Sequence, residues 1–212
     1  MADWMRAAAD ERGDLADFLQ TLTDEEWASP SLCEGWSVHD VVAHLVSYEQ
    51  LSYLGVAAGM VRAGFRLNRL NQIRLDASRG RDPEELIAFL RAHLTPKGLT
   101  AGAGGRIGLT DGLIHHQDIR RALGRPREVP IDRLVVVLPY SLKAPVLPSK
   151  RNAAGLRAVA SDLDWQHGTG PEVRGPAEAL LMAFAGRGDA LSGLDGPGVE
   201  TLRTRLRLTD TD

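Results

Sequence analysis

The segment that most narrows the folds open to this chain is SVHDVVAHLVSYEQL. Ser37 is followed three positions later by Asp40, a capping pair in which each side chain bonds the other's backbone amide at a helix start. Behind the cap, Val38, Val41, Val42, Leu45 and Val46 fall on one stripe of a 3.6-residue repeat. A helix this apolar on one side needs other helices to cover it, and the first half of the chain supplies them. Residues 2–20 place Trp4, Met5, Ala8, Leu15, Phe18 and Leu19 at helical intervals. ASPSLCEGW, broken by Pro30 and Gly35, reads as a turn. Residues 65–80 read as a polar helix ended by Gly80. Asp82-Pro83 restarts a helix through EELIAFLRAHL, with proline at its favoured first position and acids in the first turn. Another is expected from about Thr110 to Leu123, stopped by Gly124 and Pro126.

Between these last two helices, TPKGLTAGAGG lacks both a preceding strand and a Gly-Lys-Ser/Thr, so it is no phosphate loop and reads as a flexible connector. IDRLVVVLPYSL is apolar enough for a buried helix, although its valine run also suits a strand. After Pro148 the pattern changes. GLRAVASDLDW alternates like a short strand, HGTGP turns, and EVRG suits a hairpin partner. Pro176 then opens an Ala/Leu-rich helix ending at Gly186, and an amphipathic helix covers about 197–207. The expected architecture is mainly α: a helical bundle over residues 1–147 and a small α/β domain over 148–212.

Composition removes several function classes. With 212 residues, 43% hydrophobic and 25% charged, the chain has the balance of a globular protein rather than a disordered one. A net charge of -3, without a basic block interleaved with aromatics, argues against nucleic-acid binding. The single cysteine, Cys33, excludes an internal disulfide and a cysteine-rich zinc cluster. No apolar run reaches the roughly 18–20 residues of a membrane span. The charged start MADWMRAAADERGDL does not read as a signal peptide, so a cytoplasmic protein is expected.

The chemistry-bearing residues are mostly histidines. His44 sits at the border of the apolar stripe, where its ring should turn partly into the bundle, either as a hydrogen-bonded core residue or as a ligand. Asp111 and His115 are four apart, which on a helix puts them on one face with Cβ atoms about 5–6 Å apart. Two donors from that helix and one from another would form a bundle-core metal site. The alternative is a solvated helix face with an Asp–His hydrogen bond. Asp118 continues the Asp111–His115 face and suits either an acceptor orienting His115 or an ion pair with Arg120 or Arg121. His116 points elsewhere, His39 is expected to face solvent, and His93 lies near a helix C-terminus where an imidazolium is comfortable. Cys33 reads as a buried structural thiol, because no base is apparent beside it.

LCEGWSVHDVVAHL (32–45) and DGLIHHQDIRRALGRP (111–126) resemble the two signature segments of the mycothiol-dependent maleylpyruvate isomerase family, among the DinB-like metal-binding bundles. DLDWQHGTGPEVRGPAEALLMAFAGR (162–187) is similar to the C-terminal module of shorter members. The resemblance implies a DinB-like four-helix bundle holding a divalent metal, commonly zinc, with a small C-terminal α/β module. By position its ligands fall on His44, Asp111 and His115. The chain departs from the characterised isomerases at Asp111, where they carry the longer glutamate. The family's C-terminal arginine falls on Arg187, with Arg174 as the rival position.

Three protein donors would leave an open coordination position, where a thiol is deprotonated at neutral pH. In the family reaction mycothiol adds to an activated double bond, and rotation followed by elimination completes a cis–trans isomerisation. Stopping at addition or displacement gives a thiol S-transferase. Arg187 or Arg174 would hold a substrate carboxylate, unless it serves instead to bond backbone carbonyls at a helix end. The implied partners are a small electrophile and a low-molecular-weight thiol. The alternatives are the same bundle using another thiol or water, and a non-catalytic ligand-binding or regulatory module. Oligomeric state and substrate identity are not legible.

Overall fold

The computed structural model describes residues 3–49 and 52–207. The chain divides into two compact units, Met1–Arg127 and Glu128–Asp212. The sequence pattern placed the division at 147/148, twenty residues later. The difference lies in the IDRLVVVLPYSL segment, which is helical (α8, Ile131–Ser141) and packs on α10 (Ala177–Phe184) of the second unit.

In the first unit, α1 (Trp4–Leu19), α3 (Val38–Ser47), α6 (Pro83–Ala92) and α7 (Arg106–Ala122) make a four-helix bundle of the DinB-like kind. Helix α1 packs on α6 and α7, and α3 packs on the same two, closing the ring. The short α2 (Asp24–Ala28) packs on α3, α5 (Leu67–Ser78) covers another side of α3, and α4 (Tyr53–Arg62) packs on α5. The expected cap is present: the Asp40 amide donates to Ser37 Oγ and the Ser37 amide to Asp40 Oδ2, both at 3.2 Å. Val38, Val41 and Val42 are completely buried beside Leu15, Leu19 and Leu86, while Leu45 is partly buried at the edge of this core. Helix α3 ends at Ser47 and is capped by Tyr48, short of the expected Leu51. Residues 2, 50 and 51, which the sequence reading also gave to helices, lie outside the described residues.

The glycine-rich stretch is not a loose connector. It forms a 3-10 segment, Gly98–Gly105, kinked at Gly102, Ala103 and Gly104, that packs on α1 and α7. Glu49 ties it down, accepting from the Lys97 amide at 2.9 Å and from Thr100 Oγ1 at 3.2 Å. Arg12 neutralises this buried carboxylate at 2.7 Å. Gly105 has φ +91, and a Cβ there would meet the Met5 backbone at 2.9 Å, so glycine lets α7 begin hard against α1.

The second unit carries a three-stranded sheet in the order β2 (Gln166–His167), β1 (Arg157–Ala160), β3 (Glu172–Gly175). Here EVRG is not a hairpin partner: β1 pairs antiparallel with β2, and β3 runs parallel on its other edge, from Arg157↔Glu172 to Ala160↔Gly175. The chain doubles back through Gly168 and Gly170, both at positive φ, where a Cβ would strike the carbonyls of Leu156 and Gly155. Helix α10, buried along its length, covers β1 and β3. Helix α9 (Ser149–Ala153) contacts both α10 and α11 (Val199–Arg207). Among the described residues no helix is long and apolar enough to cross a membrane.

Candidate metal centre

Helix α7 presents Asp111, His115 and Asp118 along one face, as i, i+4 and i+7 spacing requires, and α3 brings His44 to meet them. One donor atom from each of His44, Asp111 and His115 lies within 4.8 Å of the other two. His115 Nε2 is 3.7 Å from Asp111 Oδ1, and the His115 ring centroid is 5.1 Å from that of His44. The three residues singled out in the sequence therefore converge.

His44 is 6% exposed, and its Nδ1 is buried with no hydrogen-bond partner among the described residues. Trp36 and Tyr48 close over it, with ring centroids at 5.0 and 5.2 Å. Burial, assisted by His115, pushes its pKa down to about 4 against the pull of Asp111, so the ring is neutral at pH 7 with a lone pair to offer. An orphaned, dry, neutral imidazole beside a half-buried carboxylate and a second imidazole is the donor chemistry of a zinc-type site. The residues fit a divalent cation.

His115 is held from behind. Its Nδ1 donates to Asp118 Oδ2 at 2.9 Å, which leaves Nε2 facing Asp111 and His44. This is the carboxylate–imidazole arrangement that fixes the tautomer and ring plane of metal-binding histidines. Of the two roles open to Asp118, orienting His115 is the one observed. Burial works to lower the His115 pKa, but Cys33, Asp118 and Asp111 outweigh it and raise the pKa well above its ordinary value. Three electronegative groups thus surround one ring.

Cys33 differs from its expected inert role. Its Sγ donates to Asp118 Oδ2 at 3.1 Å and lies 3.6 Å from His115 Nδ1, so the carboxylate of Asp118 is the base beside it. Nothing in the local sequence shows this, because 82 residues separate Cys33 from His115 and the ASPSLCEGW turn reads only as punctuation.

The other histidines are engaged elsewhere. His116, completely buried, donates from Nδ1 to Glu11 Oε1 at 2.8 Å and accepts at Nε2 from Arg120 Nε at 2.9 Å. His39 is half-buried rather than solvent-facing, with Nε2 2.8 Å from the Arg81 carbonyl. His93 caps α6, its Nδ1 2.7 Å from the Phe89 carbonyl. Arg187 lies in the second unit, where Nη1 donates to the Ala185 carbonyl at 2.7 Å, and Arg174 Nε donates to Glu172 Oε1 at 2.9 Å.

Residues 8–97 match the family model of the mycothiol maleylpyruvate isomerase N-terminal domain. The crystal structure of mycothiol-dependent maleylpyruvate isomerase superposes with a TM-score of 0.54 at 14% identity, covering 92% of this chain and 91% of that one. A histidine-to-alanine mutant of that isomerase gives a TM-score of 0.55 at 13% identity, over the same shares of the two chains. No curated protein matches the sequence significantly. The resemblance therefore holds at the level of these matches: residues 8–97, which include the segment 32–45, fit the mycothiol maleylpyruvate isomerase N-terminal domain model, and the chain has the fold of the solved isomerases.

Proposed function

We propose that the protein is a metal-dependent enzyme that uses a low-molecular-weight thiol, mycothiol by the family model it matches, either to isomerise a small electrophile or, as a thiol S-transferase, to join the thiol sulfur to it. His44, Asp111 and His115 hold a divalent cation, zinc by the N and O character of the donors. The observation that carries the reading is the convergence of one donor atom each from His44, Asp111 and His115 within 4.8 Å, with the Nδ1 of His44 buried and without a partner among the described residues. A cation bound there supplies the Lewis acidity that keeps a coordinated thiol deprotonated at neutral pH.

The chain's own residues prepare that chemistry. Asp118 holds His115 in one tautomer and aims Nε2 at the shared position. Trp36 and Tyr48 keep water from His44, which preserves it as a neutral donor. Asp111 brings the negative charge that favours a cation over the bare imidazole pair. It is one methylene shorter than the family's glutamate, so it would reach less far from α7 and would hold a cation either directly or through water. Arg187 is assigned to substrate by family position alone, since its guanidinium bonds a backbone carbonyl here.

Metal analysis with thiol titration tests the proposal. The expected result is one zinc per chain, with the d–d spectrum of a cobalt-substituted sample changing as mycothiol is added. Absence of bound metal after gentle purification, or a spectrum indifferent to the thiol, would overturn it in favour of a non-catalytic binding module.

A further inference from the structure

We infer that Arg74 receives a carboxylate of the electrophilic substrate, forming an anion subsite on the His44 side of the centre; this rests on the reading that a small electrophile is handled there. Helix α5 packs on α3 and carries Asn71 and Arg74 three residues apart, so both side chains face the end of α3. Asn71 Oδ1 accepts from the Tyr48 hydroxyl at 2.7 Å. Arg74 lays its guanidinium 5.9 Å from the centroid of the same tyrosine ring and donates from Nη2 to the Ser47 carbonyl. Tyr48 in turn packs on His44. Arg74 is therefore separated from a proposed metal ligand by one aromatic ring.

What distinguishes this arginine is the acceptor it lacks. Arg12, Arg79, Arg91, Arg125 and Arg127 each meet a carboxylate, on Glu49, Asp40, Asp17, Glu26 and Glu11. Among the described residues no carboxylate lies within ion-pair distance of Arg74, and its Nε is buried without an acceptor. A buried donor left unsatisfied is costly, and a guanidinium satisfies a planar anion through two parallel bonds. Nε is the donor of Arg74 that such an anion would satisfy, beside the Nη2 that already bonds the Ser47 carbonyl. Arg174, by contrast, already meets Glu172, and Arg187 bonds the Ala185 carbonyl.

The test titrates maleate, a small unsaturated dicarboxylate, into the zinc-loaded full chain by calorimetry, with zinc content and helicity measured for every variant. Arg74→Gln is expected to weaken maleate by about tenfold or more, the effect of losing a charge-assisted pair, with zinc content unchanged. Arg74→Lys, which keeps the charge and loses the fork, is expected to weaken it by about threefold to tenfold. Wild-type affinity in a zinc-replete Arg74→Gln protein would overturn the inference. So would a loss confined to Arg187→Gln. Should Arg74→Gln lose helicity, the lysine variant decides, and unchanged affinity in it is equally fatal. Should the wild-type chain hold no zinc, the proposed function fails by itself; Arg74-dependent maleate binding then still supports the subsite, and binding indifferent to Arg74 overturns it.

Discussion

His115 and His116 are neighbours on α7, yet their rings enter opposite kinds of interior. His116 lies in a finished network. Glu11 accepts from its Nδ1, Arg120 donates to its Nε2, and Arg127 reaches the same Glu11 oxygen. Phe18 is stacked beneath the Arg120 guanidinium, 3.8 Å from the ring centroid. His115 lies in an unfinished one, where Asp118 satisfies Nδ1 but the Nε2 side faces a carboxylate at 3.7 Å and an imidazole with no partner of its own. A polar cluster that closes on itself specifies structure, whereas one that converges on a common point without closing is built for something else to complete it. Two adjacent residues of the same type thus carry different meanings, and the difference lies in their partners.

Removing each ring tests the contrast most severely. His44→Ala and His115→Ala are expected to abolish zinc binding, measured by elemental analysis after dialysis, while His116→Ala keeps zinc. Equal metal content in all three would erase the distinction. On the closed side, Glu11→Ala strands buried positive charge and should destabilise the fold by about 3–5 kcal/mol in urea unfolding, as breaking a buried pair does. A loss below 1 kcal/mol would show that the network is not structural.

Asp118→Asn sharpens the open side. The amide cannot hold the imidazole as the carboxylate does, so zinc affinity should fall about tenfold to a hundredfold with helicity retained. Acid gives the gentlest test of the closed side. Burial is the main influence lowering the His116 pKa, to about 4 from 6.5, so the unfolded chain binds the extra proton first and stability falls as pH drops through that window. Glu11 contributes lower down, where its pKa of about 2 falls below the usual 4.5 because His116 and Arg127 overcome its burial. Between pH 7 and pH 5 the His116 effect is on the order of 1–2 kcal/mol, and it should vanish in His116→Phe.

The sequence made the helices and three donors legible because both follow a local period. The Ser37 cap, the valine stripe and the Asp111–His115 spacing are all settled within one or two turns, and the structure keeps each of them. What stayed hidden was set by contacts distant along the chain. Cys33 meets Asp118 across 85 residues, and Arg74 reads only as one charge in a polar helix. Gly98–Gly105 looks flexible by composition, but Glu49 and Met5 fix it in place. The parallel β3 was missed because a short strand after a turn reads as a hairpin unless the intervening β2 is recognised.

The donors are also shared unequally between helices. Asp111 and His115 ride one turn apart on the same rigid rod, so the backbone of α7 sets their separation, while His44 arrives from α3. The centre therefore has a single adjustable width, the gap between two rods, governed by how the valines of α3 seat against their neighbours. If the three donors hold a cation as proposed, modest trimming of that hidden seam would alter which ionic radius fits best while the scaffold still stands, and selectivity would drift without any ligand being exchanged.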